Sequence, residues 1–452
     1  MWILLDKTRE VIVTASDIAS PLWAKGGITF DSAVQRFCAA DDVMCDRALF
    51  RFDIHATRAH VAGLARIGLL TDAERTTLHT LLTELDDAFA AGAFVLDERF
   101  EDGHTAIEHF LTERAGEVGR KVHTARSRND QVLVAQRLWL KVQLHDLANV
   151  CTDIVDVCLQ RAKAGATVVM PGFTHLQRAM PTTLGAWFAG LAELFIDDGE
   201  AALAARSLAD KSPLGTGAGF GVSLPLDRLG VAADLGFDGV VVSPLAAQTG
   251  RGKLELFGLQ ALHLAAVDVR RLAWDLSLFA TTEFGFARLP DAYTTGSSLM
   301  PNKRNPDVVE LLRTVPGVVE GAMTELSSVL AIPTSYHRDL QATKGPVVRA
   351  FSRALAGLHL IPPLLAAVAF DEDRMRAAIS GDMYATDRAL ELAVAGVPFR
   401  DAYKQAAAEI PTLASRSPDE SVRARISLGG AGNLGLDLFE IRLNALRQRL
   451  RG

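Results

Sequence analysis

Apolar positions in this chain recur at helical spacing over unusually long stretches. From Asn129 to about Lys163 there is no Pro or Gly, and Val132, Val134, Leu138, Val142, Leu144, Leu147, Ile154, Val157 and Cys158 repeat near threes and fours. At about 1.5 Å per residue such a helix runs roughly 50 Å. Gly165 and Pro171 mark its end. Further helical runs are expected from Thr182 to about Leu208 and from about Lys253 to Glu283. A fourth begins at Pro306, read as a first-turn proline, and reaches about Leu330. A fifth spans Val347 to Val368, with a kink at Pro362–Pro363. Runs of β-branched residues are short, as at Val240–Val242. The pattern predicts an all-α protein built on a bundle of long helices. Several stretches, among them LAWDLSLF and LAAVDV, are apolar around more than one stripe. A helix apolar all round needs cover on every side, so helices shared between copies, and hence a homo-oligomer, are expected. Shorter helical patterns fill residues 1–115. The long-helix region covers 116–368, and a small helical region with Gly429, Gly430, Gly432 and Gly435 covers 369–452.

Composition narrows the classes. The 452 residues are 49% hydrophobic and 22% charged, which excludes disorder on a large scale. Forty-seven basic against 54 acidic residues give a net charge of −7, so nucleic acid is not expected as a partner. Cys38, Cys45, Cys151 and Cys158 form no dense framework. The first residues, MWILLDKTRE, lack a signal-peptide pattern, and no apolar run approaches about 18 residues. A cytoplasmic protein with no membrane partner is the expectation.

Four polar segments interrupt the helices: His123–Gln131 (HTARSRNDQ), Met170–Thr183, Thr294–Leu311 and Ser335–Lys344 (SYHRDLQATK). They carry Arg126, Arg128, Lys303, Arg304, Arg338 and Lys344 in a chain that is acidic overall. Caps and turns account for Asn129 or Asp130 at the start of the first long helix, and for Pro306. Caps do not require Arg and Lys, however. Together the four segments point to a small di- or trianionic ligand. His175 lies among Gly172, Thr174, Gln177 and Pro181, which suits a polar pocket better than a core position. His104 and His109 are spaced i, i+5 and no metal-ligand motif exists, so no metal site is expected. Gly215–Gly221 looks like a dinucleotide loop but follows no strand, and a flexible loop on the substrate side is the better reading. Gly296-Ser297-Ser298 suggests a mobile loop carrying hydroxyls, without the companions of a hydrolase motif.

The third segment, GSSLMPNKRNPD, closely resembles the signature of the fumarase/aspartase superfamily. The segments HTARSRNDQ, PGFTHLQRA, SPLGTGAG and YHRDLQ with Lys344, together with LWAKGG at Leu22–Gly27 and EDGHTAIE at Glu101–Glu108, resemble its argininosuccinate lyase branch. The resemblance runs from about Leu22 to about Tyr403. It implies a mostly helical three-region subunit, a homotetramer around some twenty helices, and active sites shared between subunits. The implied reaction is reversible cleavage of argininosuccinate to arginine and fumarate, in arginine biosynthesis, with no metal or organic cofactor.

The resemblance also implies roles. Ser297 is the expected base at carbon, and His175 the partner acid/base, tuned by Glu310 from another subunit. Which of the two handles which proton stays open. Lys303, Asn305, Arg126, Ser127 and Asn129 would stabilise the doubly charged aci-carboxylate intermediate. Thr174 would hold a carboxylate, with Ser298 beside Ser297 also on the substrate. Tyr336, Gln341 and Lys344 would surround the arginine moiety. Departures from the family's pattern occur at several places, and those around Gln341 and in the early segment face the amine half of the substrate. Ala125 stands where Gly is usual, Gly103 where Ile is usual, and Ala342–Thr343 where an acidic pair precedes the lysine; FCAADDVMCD lacks the usual serine ligand pattern. The alternatives are a related carbon–nitrogen lyase acting on another N-substituted aspartate, and a non-catalytic protein that keeps the fold.

Overall fold

The computed structural model describes residues 32–451, so LWAKGG lies outside the described residues. The helices are α1 (Ser32–Arg66), α2 (Asp72–Ala90), α3 (Gly103–Ala115), α4 (Glu117–Arg120) and α5 (Arg128–Ala164), followed by the strands β1 (Val169–Thr174) and β2 (Gln177–Thr183). Next come α6 (Leu184–Ala209), α7 (Arg228–Asp234), α8 (Pro244–Thr249), α9 (Lys253–Phe279), β3 (Ala287–Arg288), β4 (Thr295–Gly296) and β5 (Arg304–Asn305). The chain continues through α10 (Asp307–Leu312), α11 (Val315–Val329), α12 (Lys344–Leu358), α13 (Ile361–Ala367), β6 (Ala369–Phe370) and α14 (Glu372–Ala377). It ends in α15 (Ala385–Val394), α16 (Phe399–Glu409), α17 (Pro418–Arg423) and α18 (Leu436–Arg451). The strands make three two-stranded antiparallel ladders, β1–β2, β3–β6 and β4–β5. The fold is mostly helical, as the periodicity predicts.

Three helical expectations need correction. Residues 32–66 form one 35-residue helix rather than short pieces. Its buried face alternates apolar residues (Val43, Phe50, Ile54, Val61, Leu64) with buried Asp46, Asp53, Thr57 and His60, so the apolar period is broken by polar groups. The run from Pro306 splits at 313–314. Pro316 is the cause, because it has no N–H to return to the carbonyl of Leu312. The run to Val368 begins earlier, at Lys344, and breaks at 359–360, where Pro362 falls in the first turn of α13. The stretch Arg338–Ala367 is long and apolar enough to cross a membrane by length and composition alone; Phe351, Leu355, Leu358, Leu364 and Leu365 within it are buried.

The chain divides into two compact units. Among the described residues, one comprises 32–143, 206–257 and 322–349. Its main core joins α1, α2 and α3 through Phe50, Ile54, Leu78, Leu82, Leu85, Ile107 and Leu111. Phe50 stacks on Phe94 at 5.7 Å and meets Phe89 edge-on at 4.8 Å. A second cluster sets Ala56 and Ala59 against Val134, Leu138, Leu214, Val231 and Phe237. Thr71 opens α2 with a capping box, accepting from the Glu74 N–H while Glu74 accepts from the Thr71 N–H at 2.8 Å.

The other unit comprises, of the described residues, 144–205, 258–321 and 350–451. Its core includes Ile154, Cys158, Phe188, Phe195, Leu262, Leu276, Phe351 and Leu364. Trp187 donates to Asp275 at 2.8 Å and packs edge-on against Phe188 at 4.8 Å. In this unit Asp198 is 3% exposed, with one carboxylate oxygen unpartnered among the described residues. Burial, and then the charges of Asp268 and Asp197, push its carboxyl up to about 8. An unfolded Asp titrates near 3.9. Between those values the folded chain keeps a proton that the unfolded chain has lost. The stabilising contribution of this group is therefore complete below about pH 4 and is lost as pH rises through about 8. Asp198→Asn, neutral throughout, should gain on the wild type from pH 4 to pH 8, by on the order of 1 kcal/mol or more at pH 8. Urea unfolding of both proteins at pH 5 and pH 8 measures this, and an equal difference at both values would refute it.

Candidate active site

The first unit holds Arg126, Ser127, Asn129, Tyr336, Gln341 and Lys344 of the expected residues, and the last four of these line a cavity of about 190 Å³. It is lined by Asp42, Glu101, Asp102, His104, Arg128, Asn129, Val132, Arg251, Tyr336, Arg338, Gln341 and Lys344. From α1, whose buried face carries a polar stripe, Asp42 lines it. Asp42 and Asp46 accept from Lys344 Nζ at 2.7 and 2.5 Å. Asp46 also accepts from the Gly103 N–H at 2.9 Å. Asp53 lies 2.5 Å from His104 Nδ1, Thr57 accepts from Arg126 at 2.9 Å, and His60 Nε2 meets the Thr124 carbonyl at 3.0 Å. The stripe thus grips three segments, at Gly103–His104, at Thr124–Arg126 and at Lys344.

The charges tune one another. Burial lowers the affinity of Lys344 for its proton, but Asp46 and Asp42 outweigh that and leave it raised. Burial is opposed in the same way at His104, where Asp53 raises the imidazole. At Asp102, burial raises the carboxyl, yet His104 and Arg128 hold it well below the usual carboxylate range. Arg128 pairs with Glu101 at 2.9 Å and donates to Asp102 from Nε at 2.7 Å. Burial pushes His123 down to about 4. Buried Arg126 has its Nε unpartnered among the described residues.

The segment His123–Gln131 is fixed by its own carboxylate. Ser127, rather than Asn129 or Asp130, caps α5: its Oγ accepts from the Asn129 N–H at 3.2 Å. Asp130 Oδ1 accepts from the Ser127 N–H at 2.9 Å, and Oδ2 accepts from the N–H groups of Gly215 and Gly217 at 3.0 and 2.9 Å. Gly215, Gly217, Gly219 and Gly221 all have positive φ. The dinucleotide-like loop is therefore a backbone nest whose anion is Asp130. Ala125 has φ of 60°, the conformation that favours Gly. Ala125→Gly should raise stability by about 1 kcal/mol, read as a higher thermal midpoint; an unchanged or lower midpoint would sink the strain argument. Gly103 has a packing reason. A Cβ there would meet Phe50 Cδ2 at 3.1 Å and Asp46 Oδ2 at 3.6 Å. Gly103→Ile should cost about 1–3 kcal/mol in chemical denaturation, with fluorescence or circular dichroism as the readout.

The second unit holds the remaining expected residues. Thr174 and Gln177 close the β1–β2 ladder, leaving His175 and Leu176 as a two-residue turn with φ of 55° and 57°. Such a turn needs two left-handed residues and ordinarily takes Asn-Gly. His175 is exposed at its tip. Gly296 pairs with Arg304 in the β4–β5 ladder, so Ser297 and Lys303 both adjoin the neck of the loop between them. Ser297 Oγ accepts from the N–H groups of Met300 and Leu299 at 3.0 and 3.3 Å. Ser298 and Lys303 are exposed, and Asn305 is half-buried. Pro306 precedes α10 rather than opening it, and Glu310 in that helix meets Arg313 at 3.2 Å.

Sequence reasoning set Arg126, Ser127 and Asn129 with Lys303 and Asn305 around the intermediate's charge, and Tyr336, Gln341 and Lys344 around the arginine moiety; the structure brings Asn129, Tyr336, Gln341 and Lys344 together on one cavity wall, without Arg126 or Ser127. It missed Asp42, Glu101, Asp102, His104, Arg128 and Arg251 as lining groups. EDGHTAIE signals three of them. Arg251 has no signal beyond the glycines flanking it. Among the described residues no group of three His, Cys, Asp or Glu side chains is placed to hold a metal ion.

Residues 38–321 match a family model described as lyase. The chain is 52% identical over 427 residues to argininosuccinate lyase of Xanthomonas axonopodis pv. citri (strain 306), covering 94% of this chain and 99% of that relative. The chain belongs to the argininosuccinate lyase family. Argininosuccinate lyase of Xylella fastidiosa (strain 9a5c) is likewise 52% identical, over 95% of this chain and 97% of that relative. The fold is shared with a solved EDDS lyase in complex with formate, at TM-score 0.77 and 22% identity, covering 94% of this chain and 92% of that one. For an argininosuccinate lyase family member, the resemblance seen in GSSLMPNKRNPD places the chain in the fumarase/aspartase superfamily.

Proposed function

We propose that this chain catalyses the reversible β-elimination of argininosuccinate to arginine and fumarate, in arginine biosynthesis. The carrying observation is the near full-length identity of 52% to argininosuccinate lyases, with Ser297, His175, Lys303, Asn305 and Glu310 all present.

A base removes the proton from the carbon next to a succinyl carboxylate. The carbanion spreads into that carboxylate as a dianionic aci form. Lys303, Asn305, Arg126, Ser127 and Asn129 stabilise that charge, ordinarily the largest catalytic term. Ser297 is assigned as base; its place at the loop neck, one residue from the same ladder pair as Lys303, supports this. His175, exposed at a tight turn, is assigned to the departing nitrogen, with Glu310 of another subunit assigned to tune it. Thr174 and Ser298 hold the fumarate half, and Tyr336, Gln341 and Lys344 the arginine half. No cofactor enters the scheme.

The same reading makes the protein a homotetramer with shared active sites, in three regions (1–115, 116–368, 369–452), located in the cytoplasm. Supporting it, His175, Lys303 and Glu310 are exposed on a single chain, and α9 presents half-exposed Leu264 and Trp274.

Fumarate release by the purified protein, with argininosuccinate compared against adenylosuccinate, aspartate and other N-substituted aspartates, tests the activity. Release from argininosuccinate is expected. Release from another adduct with argininosuccinate inert would instead favour the related-lyase reading. Ser297→Ala should lower turnover by 100-fold or more, on the order of the general-base contribution, with the oligomer intact. Turnover surviving in that variant would overturn the base assignment.

A further inference from the structure

The hairpin that carries Thr174 and His175 is weak in its own pairing. Pro171 and Pro181 face each other in its register, and neither has an N–H to give to a ladder bond. The register then shifts at Gly172–Phe173, one step nearer the tip. A two-stranded ladder standing alone is marginal in water. This one nevertheless holds His175 and Leu176 at φ of 55° and 57°. Its bracing comes from other segments of the same unit. Arg178 donates to the Ala378 carbonyl at 3.1 Å, and Phe173 lies against Phe284 with ring centroids 5.6 Å apart. The Pro181 carbonyl accepts from Arg425 Nη1 at 2.7 Å, across 244 residues of sequence.

Arg425 is itself fixed from two directions. Its Nη2 donates to both oxygens of Asp387, at 3.0 and 3.2 Å, and the Ser421 hydroxyl donates to the same carboxylate at 2.5 Å. Charge-assisted bonds of this kind are the strong ones and fix the plane of the guanidinium. The glycine-rich turn holds the backbone. The Gly432 N–H donates to the Arg425 carbonyl at 3.1 Å, and Asn433 Nδ2 donates to the Ile426 carbonyl at 3.1 Å. A Cβ at Gly430 would collide with the Arg425 carbonyl oxygen, so the turn approaches that closely only with glycine there. We propose that Arg425 is a positioning residue for the proton transfer assigned to His175. From the C-terminal region it sets the place of the hairpin tip, and the glycine-rich turn keeps its guanidinium in register with the Pro181 carbonyl. It acts through the β2 backbone. A displaced tip leaves the imidazole intact but misaims it, and a misplacement of about 1 Å can cost about 100-fold in rate. This rests on the role given to His175 above.

The test is a double-mutant cycle on fumarate release from argininosuccinate, with wild type, Arg425→Ala, His175→Asn and the double variant. Arg425→Ala should lower kcat by about 10-fold or more while KM stays within about threefold. In the His175→Asn background the same change should cost less than about threefold, because no imidazole remains to be aimed. An arginine that only stabilised the fold would lower the thermal midpoint and leave kcat of the folded protein unchanged. That result, or an equal loss of kcat in both backgrounds, would overturn the proposal. Arg425→Lys keeps a cationic donor for the Pro181 carbonyl and should recover part of the lost kcat. If Arg425→Ala does not fold, Arg425→Lys carries the same cycle, with a smaller drop expected beside His175 and none beside Asn. The two readings fail separately. Full turnover in His175→Asn sinks the role given to His175. A large loss there, with the Arg425 loss undiminished, sinks this proposal alone.

Discussion

One face of α1 organises the first unit. A helix of this length normally buries an apolar stripe. Here Asp46, Asp53, Thr57 and His60 are buried among Val43, Phe50, Ile54 and Val61. Each polar group would be costly alone. Each is made tolerable by a different partner: Lys344, His104, Arg126 and the carbonyl of Thr124. The apolar residues supply the cohesion and the polar ones the addresses. Segments far apart in sequence are set against one scaffold, and the register of α1 determines where each side chain points.

How much of this was legible follows from what each signal measures. The long helices α5, α6 and α9 were read nearly to their ends, because uninterrupted 3.6-residue periodicity and flanking Gly and Pro report local structure directly. The helix α1 was missed for the converse reason, since buried polar residues erase the very pattern being counted. Proline explains the two shortened runs once Pro316 and Pro362 are placed in first turns. The polar segments were recognisable from composition. The partners that hold them, such as Asp53 for His104 or Asp130 for the Gly215 loop, are tertiary facts with no local signature.

Backbone strain follows the same map. Among the described residues the non-glycine positions with positive φ are Ala125, His175, Leu176 and Ser335. All four lie in the polar segments marked by sequence, and none lies in a helix. Residues in such conformations persist where the surroundings over-determine them. At His175 the two-residue turn projects the imidazole outward from the ladder. At Ser335 the chain is held by the Thr249 hydroxyl, which the Ser335 N–H meets at 3.2 Å, immediately before Tyr336.

The glycine nest around Asp130 carries an evolutionary consequence. The loop spans the geometry of an anion site, but the anion is covalently part of the chain. The aspartate and the glycines therefore constrain one another across 85 residues of sequence. Loss of the carboxylate alone leaves a vacant cradle of N–H donors, and loss of a glycine alone leaves a charge without its cradle. The two sequence features are free to drift only as a pair. A lineage that gave up the aspartate while retaining the glycines would hold a ready-made receptor for an external anion.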